Sequence, residues 1–408
     1  MPSNDADTDD QPFAGLRVLD IGSFVAGPAA ATILGDYGAD VVKIEPPGEG
    51  DPFRAFHASH GVPRHEVNFC WHLASRNKRS LALDLKSADG RAALDRLVAG
   101  ADILVTNYPP GVRARLRLRY ADLAPLNPRL IYASLTGYGE SGPDSTQPGY
   151  DATAYFARSG LLDSTTYEGA PPSFSVPGAG DHPTATALFA SIMLGLWRRE
   201  RTGKGSEVGT SLLANGLWAN GVLAQGALLS AVLPQRPPRT RPRSALANQY
   251  RTKDGRWINL AVAREEKLWP VFCGAIGRPE LVEDPRFADT PTRRANGAAL
   301  TAILDPLFDA RTLDEWQAAF KAVGITYGVI NRLGDVAEDA QAVAAGAVVA
   351  TAIPGMPRTI ANPVRADFAR QRAATPAPAL GADSDAVLRE AGFGPDEIAA
   401  LRRSGAVG

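Results

Sequence analysis

Residues 16–45 read LRVLDIGSFVAGPAAATILGDYGADVVKIE, and this stretch decides the fold class. It opens with a short apolar run and closes with another, VVKIE, which Pro46 and Pro47 end. Between the two runs, an Ala-rich segment has helical spacing and stops at Gly38. A strand, a helix and a second strand within about 30 residues form a β-α-β unit, which predicts parallel strands.

The same alternation continues to residue 135. Further strands are predicted at 79–85, 103–106 and 130–135, with helices at 87–98 and 120–126. Strands that alternate with helices in this way favour a doubly wound α/β domain.

The composition changes at 234–243, where a Pro- and Arg-rich run indicates a linker or an extended loop. Beyond it, a strand at 255–262 and a helix at 312–323 indicate a smaller α+β domain. Two more helices are predicted near 384–391 and 395–403.

Charge and cysteine content exclude several classes of protein. The 408 residues carry 43 Lys and Arg against 44 Asp and Glu, so the basic excess of a nucleic-acid-binding protein is missing. Two cysteines cannot build a disulfide framework or a cysteine-based zinc site, and they fit a reducing, cytoplasmic setting. Residues 1–12 lack the basic start and apolar core of a signal peptide, which predicts a solvated, disordered tail.

The longest uncharged run, residues 208–235, is long enough to span a bilayer. Its amides, such as Asn215, Asn220 and Gln225, and its glycines make insertion unfavourable, so no membrane association is expected. We expect a strand and a helix that pack closely against another surface, which a second subunit could supply.

Common cofactor and catalytic motifs are missing from the sequence. The first turn lacks the Gly-x-Gly-x-x-Gly spacing of a dinucleotide site, and neither a P-loop nor a Gly-x-Ser-x-Gly elbow is present. The five histidines lack the ligand spacing of a metal centre, so no metal is expected.

Two glycine-rich segments could carry chemistry. GYGESGP, residues 137–143, follows the strand predicted at 130–135, at the strand end where α/β sites usually lie, and Gly149-Tyr150-Asp151 comes next. GAGDHP, residues 178–183, precedes an apolar helix predicted at 184–197. Its Asp181 is either a plain helix N-cap, which the spacing alone favours, or a carboxylate nucleophile beside a glycine turn.

Taken together, these segments resemble the class III CoA-transferases, the CaiB/BaiF family. That family includes the formyl-CoA:oxalate and carnitine CoA-transferases and is related to α-methylacyl-CoA racemase. The resemblance covers about residues 13–408. It rests on stretches that occur in family order: GLRVLDIGSFVAGP, LGDYGADVVKIEPPGEGDPFR, NKRSLALDLK, ADILVTNYPPG, LNPRLIYASLTGYGESGP, GYD, GAGD, RRERTGKGSEV and the tail from ALGADSDAV onward.

The resemblance implies an α/β fold with a large Rossmann-like, doubly wound domain that binds CoA. This domain would comprise residues 13–222 and 333–408, and a smaller α+β domain with its linkers would occupy 223–332. It further implies an interlocked homodimer, two chains threaded through each other like links, which would bury the uncharged run at 208–235.

Site residues are carried over from the family position by position. Asp181 matches the covalent nucleophile, and Arg115 matches a CoA-contacting arginine. Tyr150 stands where the racemases have a histidine, and Asp151 stands where formyl-CoA transferase has a glutamate near the acyl group. The resemblance implies that both position the substrate. The remaining candidates are Gly139 for substrate positioning and, for CoA binding, Val25, Arg54, Lys78 and Arg79.

The implied activity is CoA transfer from an acyl-CoA donor, succinyl-CoA or another short acyl-CoA, to a carboxylic acid acceptor. It would proceed through an aspartyl anhydride and an aspartyl-CoA thioester, with the CoA thioester as substrate and no tightly bound cofactor. Val25 replaces a glutamine of the oxalate enzyme, and that enzyme's glycine run has no counterpart at 236–251, which argues against oxalate. The alternatives are an α-methylacyl-CoA racemase, which Tyr150 disfavours, and a catalytically silent CoA-binding protein.

Overall fold

The computed structural model describes residues 10–408; residues 1–9, which form most of the predicted tail, lie outside the described residues. The last part of that predicted tail contacts the body of the protein. The Gln11 side-chain amide donates to the carbonyl oxygen of Arg370 at 2.8 Å.

Eleven strands are present in residues 10–408: β1 (Arg17–Asp20), β2 (Asp40–Glu45), β3 (Lys78–Ala82), β4 (Ile103–Thr106), β5 (Ile131–Thr136), β6 (Ser206–Ser211), β7 (Gln249–Arg251), β8 (Trp257–Leu260), β9 (Tyr327–Ile330), β10 (Val348–Ile353) and β11 (Met356–Ile360).

The α-helices of the same residues are α1 (Ala26–Asp36), α2 (Phe69–Ser75), α3 (Ala88–Ala99), α4 (Pro110–Arg115), α5 (Tyr120–Leu123), α6 (Leu161–Thr165), α7 (Asp181–Thr202), α8 (Leu212–Ala219), α9 (Gly221–Leu228), α10 (Glu265–Ala275), α11 (Thr290–Ala295), α12 (Gly297–Asp309), α13 (Leu313–Val323), α14 (Ala340–Ala344), α15 (Ser384–Glu390) and α16 (Pro395–Arg403). A π-helical segment spans Asp151–Ala157.

The central sheet has six strands in the order β3-β2-β1-β4-β5-β6, and every neighbouring pair is parallel. The prediction of a parallel α/β sheet is therefore confirmed. The strand order reverses between β1 and β4, and in such sheets ligands bind outside the carboxyl ends of the strands at that point.

The inner strands β1, β2, β4 and β5 are buried on both faces, which explains why they read as largely apolar runs. The edge strand β6 is polar and partly exposed. Successive residues point to opposite faces, so Leu19 joins one apolar cluster and Val18 joins the other. The Leu19 cluster includes side chains of α3, α15 and α16, and the Val18 cluster includes side chains of α1 and α7. Helix α1 is Ala-rich because all eleven of its residues are buried.

The chain divides into two compact units. The first comprises residues 10–163, 174–232 and 343–408, and the second comprises 164–173 and 233–342. Sequence analysis instead placed 164–173 in the large domain and 223–232 in the small domain. It also began the C-terminal segment of the large domain at residue 333 rather than 343.

Within the first unit, the chain from α15 onward packs on β3. The backbone N–H of Gly408 donates to the carbonyl oxygen of Ala82 at 3.1 Å. The second unit has its own three-stranded antiparallel sheet, β7-β8-β9, and an aromatic core that includes Trp269, Phe308 and Trp316.

Both cysteines, Cys70 and Cys273, are free and buried. Within residues 10–408, no helix combines the length and the apolar character needed to cross a membrane.

Candidate active site

Two glycines bring the segment after residue 148 against the carboxyl end of β5. A Cβ atom on Gly137 would lie 2.8 Å from the Gly149 Cα, and a Cβ on Gly149 would lie 2.8 Å from the Gly137 Cα. Only glycine allows two backbones to approach this closely. The contact holds Tyr150 and Asp151 beside the carboxyl end of a central strand.

The start of α7 packs on the same segment through a third glycine. The Gly180 N–H donates to Asp151 Oδ2 at 3.4 Å. A Cβ on Gly180 would lie 2.6 Å from the Tyr155 ring and 2.9 Å from the Asp151 Cβ. Asp151 and Asp181 are thereby brought together beside the carboxyl end of β5.

Asp181 is not a helix cap. The N-cap of α7 is Gly180, and Asp181 is the first helical residue. A capping side chain needs an extended backbone to reach the amides of the first turn, and the helical backbone of Asp181 does not provide this. The capping interpretation, which the spacing favoured, is therefore wrong. Across residues 10–408, no group donates a hydrogen bond to this half-buried carboxylate.

Desolvation and the negative charge of Asp151 raise the pKa of Asp181 from 3.8 to about 7. The helix N-terminus favours the ionised form, but this effect is outweighed. Desolvation, together with the charge of Arg76, lowers the pKa of the neighbouring His182. A carboxylate with unoccupied lone pairs and a shifted pKa is a candidate nucleophile.

This pKa shift predicts a pH-dependent gain in stability for Asp181→Asn. The folded protein binds the Asp181 proton more tightly than the unfolded chain, so ionisation between pH 4 and 7 lowers the free energy of unfolding. At pH 8 the variant should be more stable by about 1–2 kcal/mol, less than the full shift implies because the carboxylate is only half-buried. At pH 4 the two proteins should unfold alike. Denaturant titrations at both pH values would measure this, and an equal difference at both would contradict it.

Tyr150 presents an aromatic ring beside these carboxylates. Its side chain is 58% exposed and meets the Phe24 ring edge to face, with ring centroids 6.0 Å apart. Phe24 lies in the turn after β1 and has a left-handed backbone, φ +59°. Sequence reasoning missed Phe24, because its role depends on contact with the ring of Tyr150, a residue distant in sequence.

A buried ionic cluster holds this turn. Lys43 Nζ lies 2.9 Å from Asp51 Oδ2 and donates to the Gly22 carbonyl oxygen, while Asp51 Oδ1 accepts from the Phe24 N–H at 3.1 Å. Asp20 and Asp51 raise the pKa of Lys43 although burial acts in the opposite direction. The charged residues on these strands, Asp20 and Lys43, were the sequence signal for this cluster, and sequence reasoning did not use it.

Lys78, predicted to bind CoA, belongs to the same cluster. Its ammonium is fully buried and donates to Asp20 Oδ2 at 2.9 Å and to the carbonyl oxygens of Pro28 and Ala74 at 2.7 and 2.8 Å. All three N–H donors are occupied, so a phosphate could not reach Lys78 unless the cluster broke.

Arg54 and Arg79 are likewise committed to carboxylates. Arg54 donates to both oxygens of Glu45 at 2.7 Å. Arg79 is held between Asp40 and Glu390, with four N–H to oxygen distances of 2.6–2.9 Å. These two arginines tie elements of the first unit together, which is a different use from the predicted phosphate contacts.

Val25 and Arg115, the other predicted CoA-binding residues, differ in accessibility. Val25 lies in an apolar cluster with Phe53 and Trp71. Arg115 ends α4, just beyond β4, and is exposed. Among the described residues, its guanidinium has no hydrogen-bond or ion-pair partner, so it remains available to an anion.

Hydrogen bonds to side chains of β5 and α4 anchor the loop at 137–142. Gly139 has φ +111°, and its N–H donates to Thr136 Oγ1 at 2.9 Å. Glu140 accepts from the buried Arg113 at 2.5 Å and from Ser134 Oγ at 2.7 Å. Gly139 therefore shapes the turn rather than offering a free donor. Elsewhere in residues 10–408, no three His, Cys, Asp or Glu side chains are arranged to hold a metal ion.

Residues 13–384 match the sequence profile of CoA-transferase family III. The chain belongs to this family. Among curated family III relatives, (R)-2-hydroxy-4-methylpentanoate CoA-transferase of Clostridioides difficile is 33% identical, over 94% of this chain and 96% of that protein. Succinyl-CoA:glutarate CoA-transferase of Mus musculus is 34% identical, over 95% of this chain and 88% of that protein.

A crystal structure of a CAIB/BAIF family protein from Brucella suis has the same fold. Its TM-score is 0.83 and its identity is 30%, over 94% of this chain and all of that one. The family III chain is thus an enzyme of the CoA-transferase type, as the sequence predicted, and CoA thioesters are its substrates.

Proposed function

We propose that this family III enzyme moves CoA from an acyl-CoA donor to a free carboxylic acid, with Asp181 as the covalent nucleophile. The observation that carries the proposal is the half-buried Asp181 carboxylate, which accepts no hydrogen bond within residues 10–408 and lies beside Asp151. A carboxylate in this state exposes reactive lone pairs to a bound thioester.

The reaction would take four steps. Asp181 attacks the thioester carbon, the C–S bond breaks, and a mixed anhydride and CoA thiolate result. The thiolate attacks the aspartyl carbonyl, which gives an aspartyl-CoA thioester and releases the donor acid. The acceptor carboxylate displaces the thiolate to form a second anhydride, and the thiolate then takes the acceptor acyl group and frees Asp181. Covalent catalysis divides one difficult exchange into easier ones.

Water must be excluded, because anhydrides and thioesters hydrolyse. The anchored loop at 137–142 is suited to this task. The relatives are named for different acids, so we propose for the donor only succinyl-CoA or another short acyl-CoA.

The direct test is intact-mass spectrometry of the enzyme mixed with acyl-CoAs. A transferase should show a CoA adduct that maps to Asp181, whereas a silent CoA-binding protein would show none. Deuterium uptake at the α-carbon of a 2-methylacyl-CoA, without acceptor acid, would instead identify the racemase alternative. Tyr150 lacks the proton-transfer capacity of the racemase histidine, so no uptake is expected.

Arg115 is proposed to bind the CoA phosphates, since its guanidinium is exposed and unpaired among the described residues. Arg115→Ala should raise the KM for acyl-CoA about tenfold, with kcat little changed, because charge-assisted contacts to phosphate are lost. Arg117→Ala is a matched control, because it removes the same charge two residues further on. An equal rise in KM for both variants would contradict a specific contact.

The large domain is proposed to be Rossmann-like, which its parallel six-stranded sheet supports. The interlocked homodimer also remains a proposal. It is supported by large apolar side chains exposed along α7–α9, of which Trp218 is 86% and Val222 90% exposed. Such a surface usually marks an interface. Sizing should give twice 43.1 kDa, and a stable monomer would contradict the dimer.

A further inference from the structure

An aromatic surface adjoins the two active-site carboxylates. It consists of Tyr150 and Phe24, whose ring centroids are 6.0 Å apart, and it is backed by the buried Phe53, whose centroid is 6.4 Å from that of Phe24. Phe53 in turn stacks on Phe56 at 5.1 Å. Tyr150 precedes Asp151 in sequence and is largely exposed, so the surface is open to a molecule bound at Asp181.

Among the described residues, the buried cations around the turn after β1 are already paired, and Arg54, which follows Phe53, is bound to Glu45. Arg76 binds Asp36 through two hydrogen bonds of 3.0 and 2.7 Å, and both side chains are buried. Lys43 and Lys78 are fully buried in the ionic cluster. Burial, together with the charge of Arg76, lowers the pKa of His182 and so disfavours its cationic form. None of these groups is available to pair with a second carboxylate on a bound acid.

We propose that the acid that reacts with Asp181 is a monocarboxylic acid with an apolar body, aromatic or branched, that packs on Tyr150 and Phe24. This inference rests on the proposed function. The edge-to-face pair offers ring faces and edges that a flat apolar group can contact. The distal carboxylate of a dicarboxylic acid would instead lose water without gaining a partner.

The same surface serves donor and acceptor, because each acyl group is bonded to Asp181 in turn. Of the two donors that the sequence left open, a short apolar acyl-CoA therefore fits better than succinyl-CoA.

A degenerate exchange reaction tests this without a known donor. The enzyme is given 3-phenylpropanoyl-CoA with deuterated 3-phenylpropanoate, or succinyl-CoA with deuterated succinate, and label entering the acyl-CoA is measured. We expect kcat/KM for the phenylpropanoyl pair to be at least about tenfold higher. An equal or faster succinyl exchange would overturn the inference and leave the proposed function intact. No exchange with either pair would overturn both.

Variants show whether the aromatic surface causes the preference. Tyr150→Ala should lower phenylpropanoyl exchange about 10–100-fold, mainly through KM, and Tyr150→Phe should keep most of it because the ring remains. Phe368→Ala, which removes an exposed ring remote in sequence from the site, should match the wild type. A Tyr150→Ala enzyme with wild-type preference for the aromatic acid would overturn the inference.

Discussion

Replacing Asp181 by Asn is expected to lower CoA transfer by at least about 10⁴-fold and to abolish the CoA adduct. The amide has nearly the same shape as the carboxylate but cannot form the anhydride. The half-buried position of Asp181 accepts a neutral group readily, so the variant should fold and still bind acyl-CoA. Steady-state rates and intact mass, measured on the same preparation, would check both expectations.

Asp151→Asn is the matched control, because it makes the same chemical change beside the nucleophile. In the wild type, the negative charge of Asp151 helps to raise the pKa of Asp181. Removing that charge should leave the adduct intact and shift the rise of activity with pH toward lower pH, since Asp181 must be ionised to react. Full transfer activity in Asp181→Asn, or an adduct lost only in Asp151→Asn, would assign the nucleophile elsewhere.

Gly180→Ala should lower kcat about 100-fold without any change in charge. The added Cβ would lie 2.6 Å from the Tyr155 ring and 2.9 Å from the Asp151 Cβ, so α7 and the segment at 151–157 must separate. A displacement of about 1 Å at a reacting group costs roughly this factor.

Gly274→Ala provides the comparison for this variant. Gly274 is helical, and a Cβ there would meet no atom within 4 Å. The kcat of the Gly274→Ala enzyme should be unchanged, and its stability should rise slightly because alanine favours the helix. Melting curves would show whether Gly180→Ala remains folded at the assay temperature. Wild-type kcat in a folded Gly180→Ala enzyme would show that the close packing at Asp181 is dispensable.

Local pattern was sufficient to predict the inner strands of the parallel sheet, because they are buried on both faces and therefore read as apolar runs. The strand predicted at 103–106 is β4 itself, and the predicted 384–391 helix differs from α15 by one residue. The start of α7 was predicted three residues late. The first turn of α7 contains polar residues and a proline, which lack an apolar helical pattern although their backbone is already helical.

Asp181, Tyr150 and Asp151 were named as candidates through the family resemblance, since the local spacing around Asp181 favoured a helix cap. Their roles stay predictions. The site could not be predicted where a distant partner decides the role of a side chain. Glu390 lies 311 residues from Arg79 in sequence, and no local pattern indicates that it occupies this guanidinium. The contact between Gly137 and Gly149 likewise depends on how the intervening loop folds back.

The packing of the chain from α15 onward on β3 has a consequence for how this protein folds. Strand β3 lies at one edge of the sheet, and its outer neighbours, Glu390 and the backbone of Gly408, are synthesised some 300 residues later. During synthesis, the apolar surface that Leu388 and Val407 will cover stays open while the whole second unit emerges. A nascent chain in this condition needs protection from aggregation until its last segment arrives. Early termination within α15 or α16 should therefore yield insoluble product rather than a shortened enzyme.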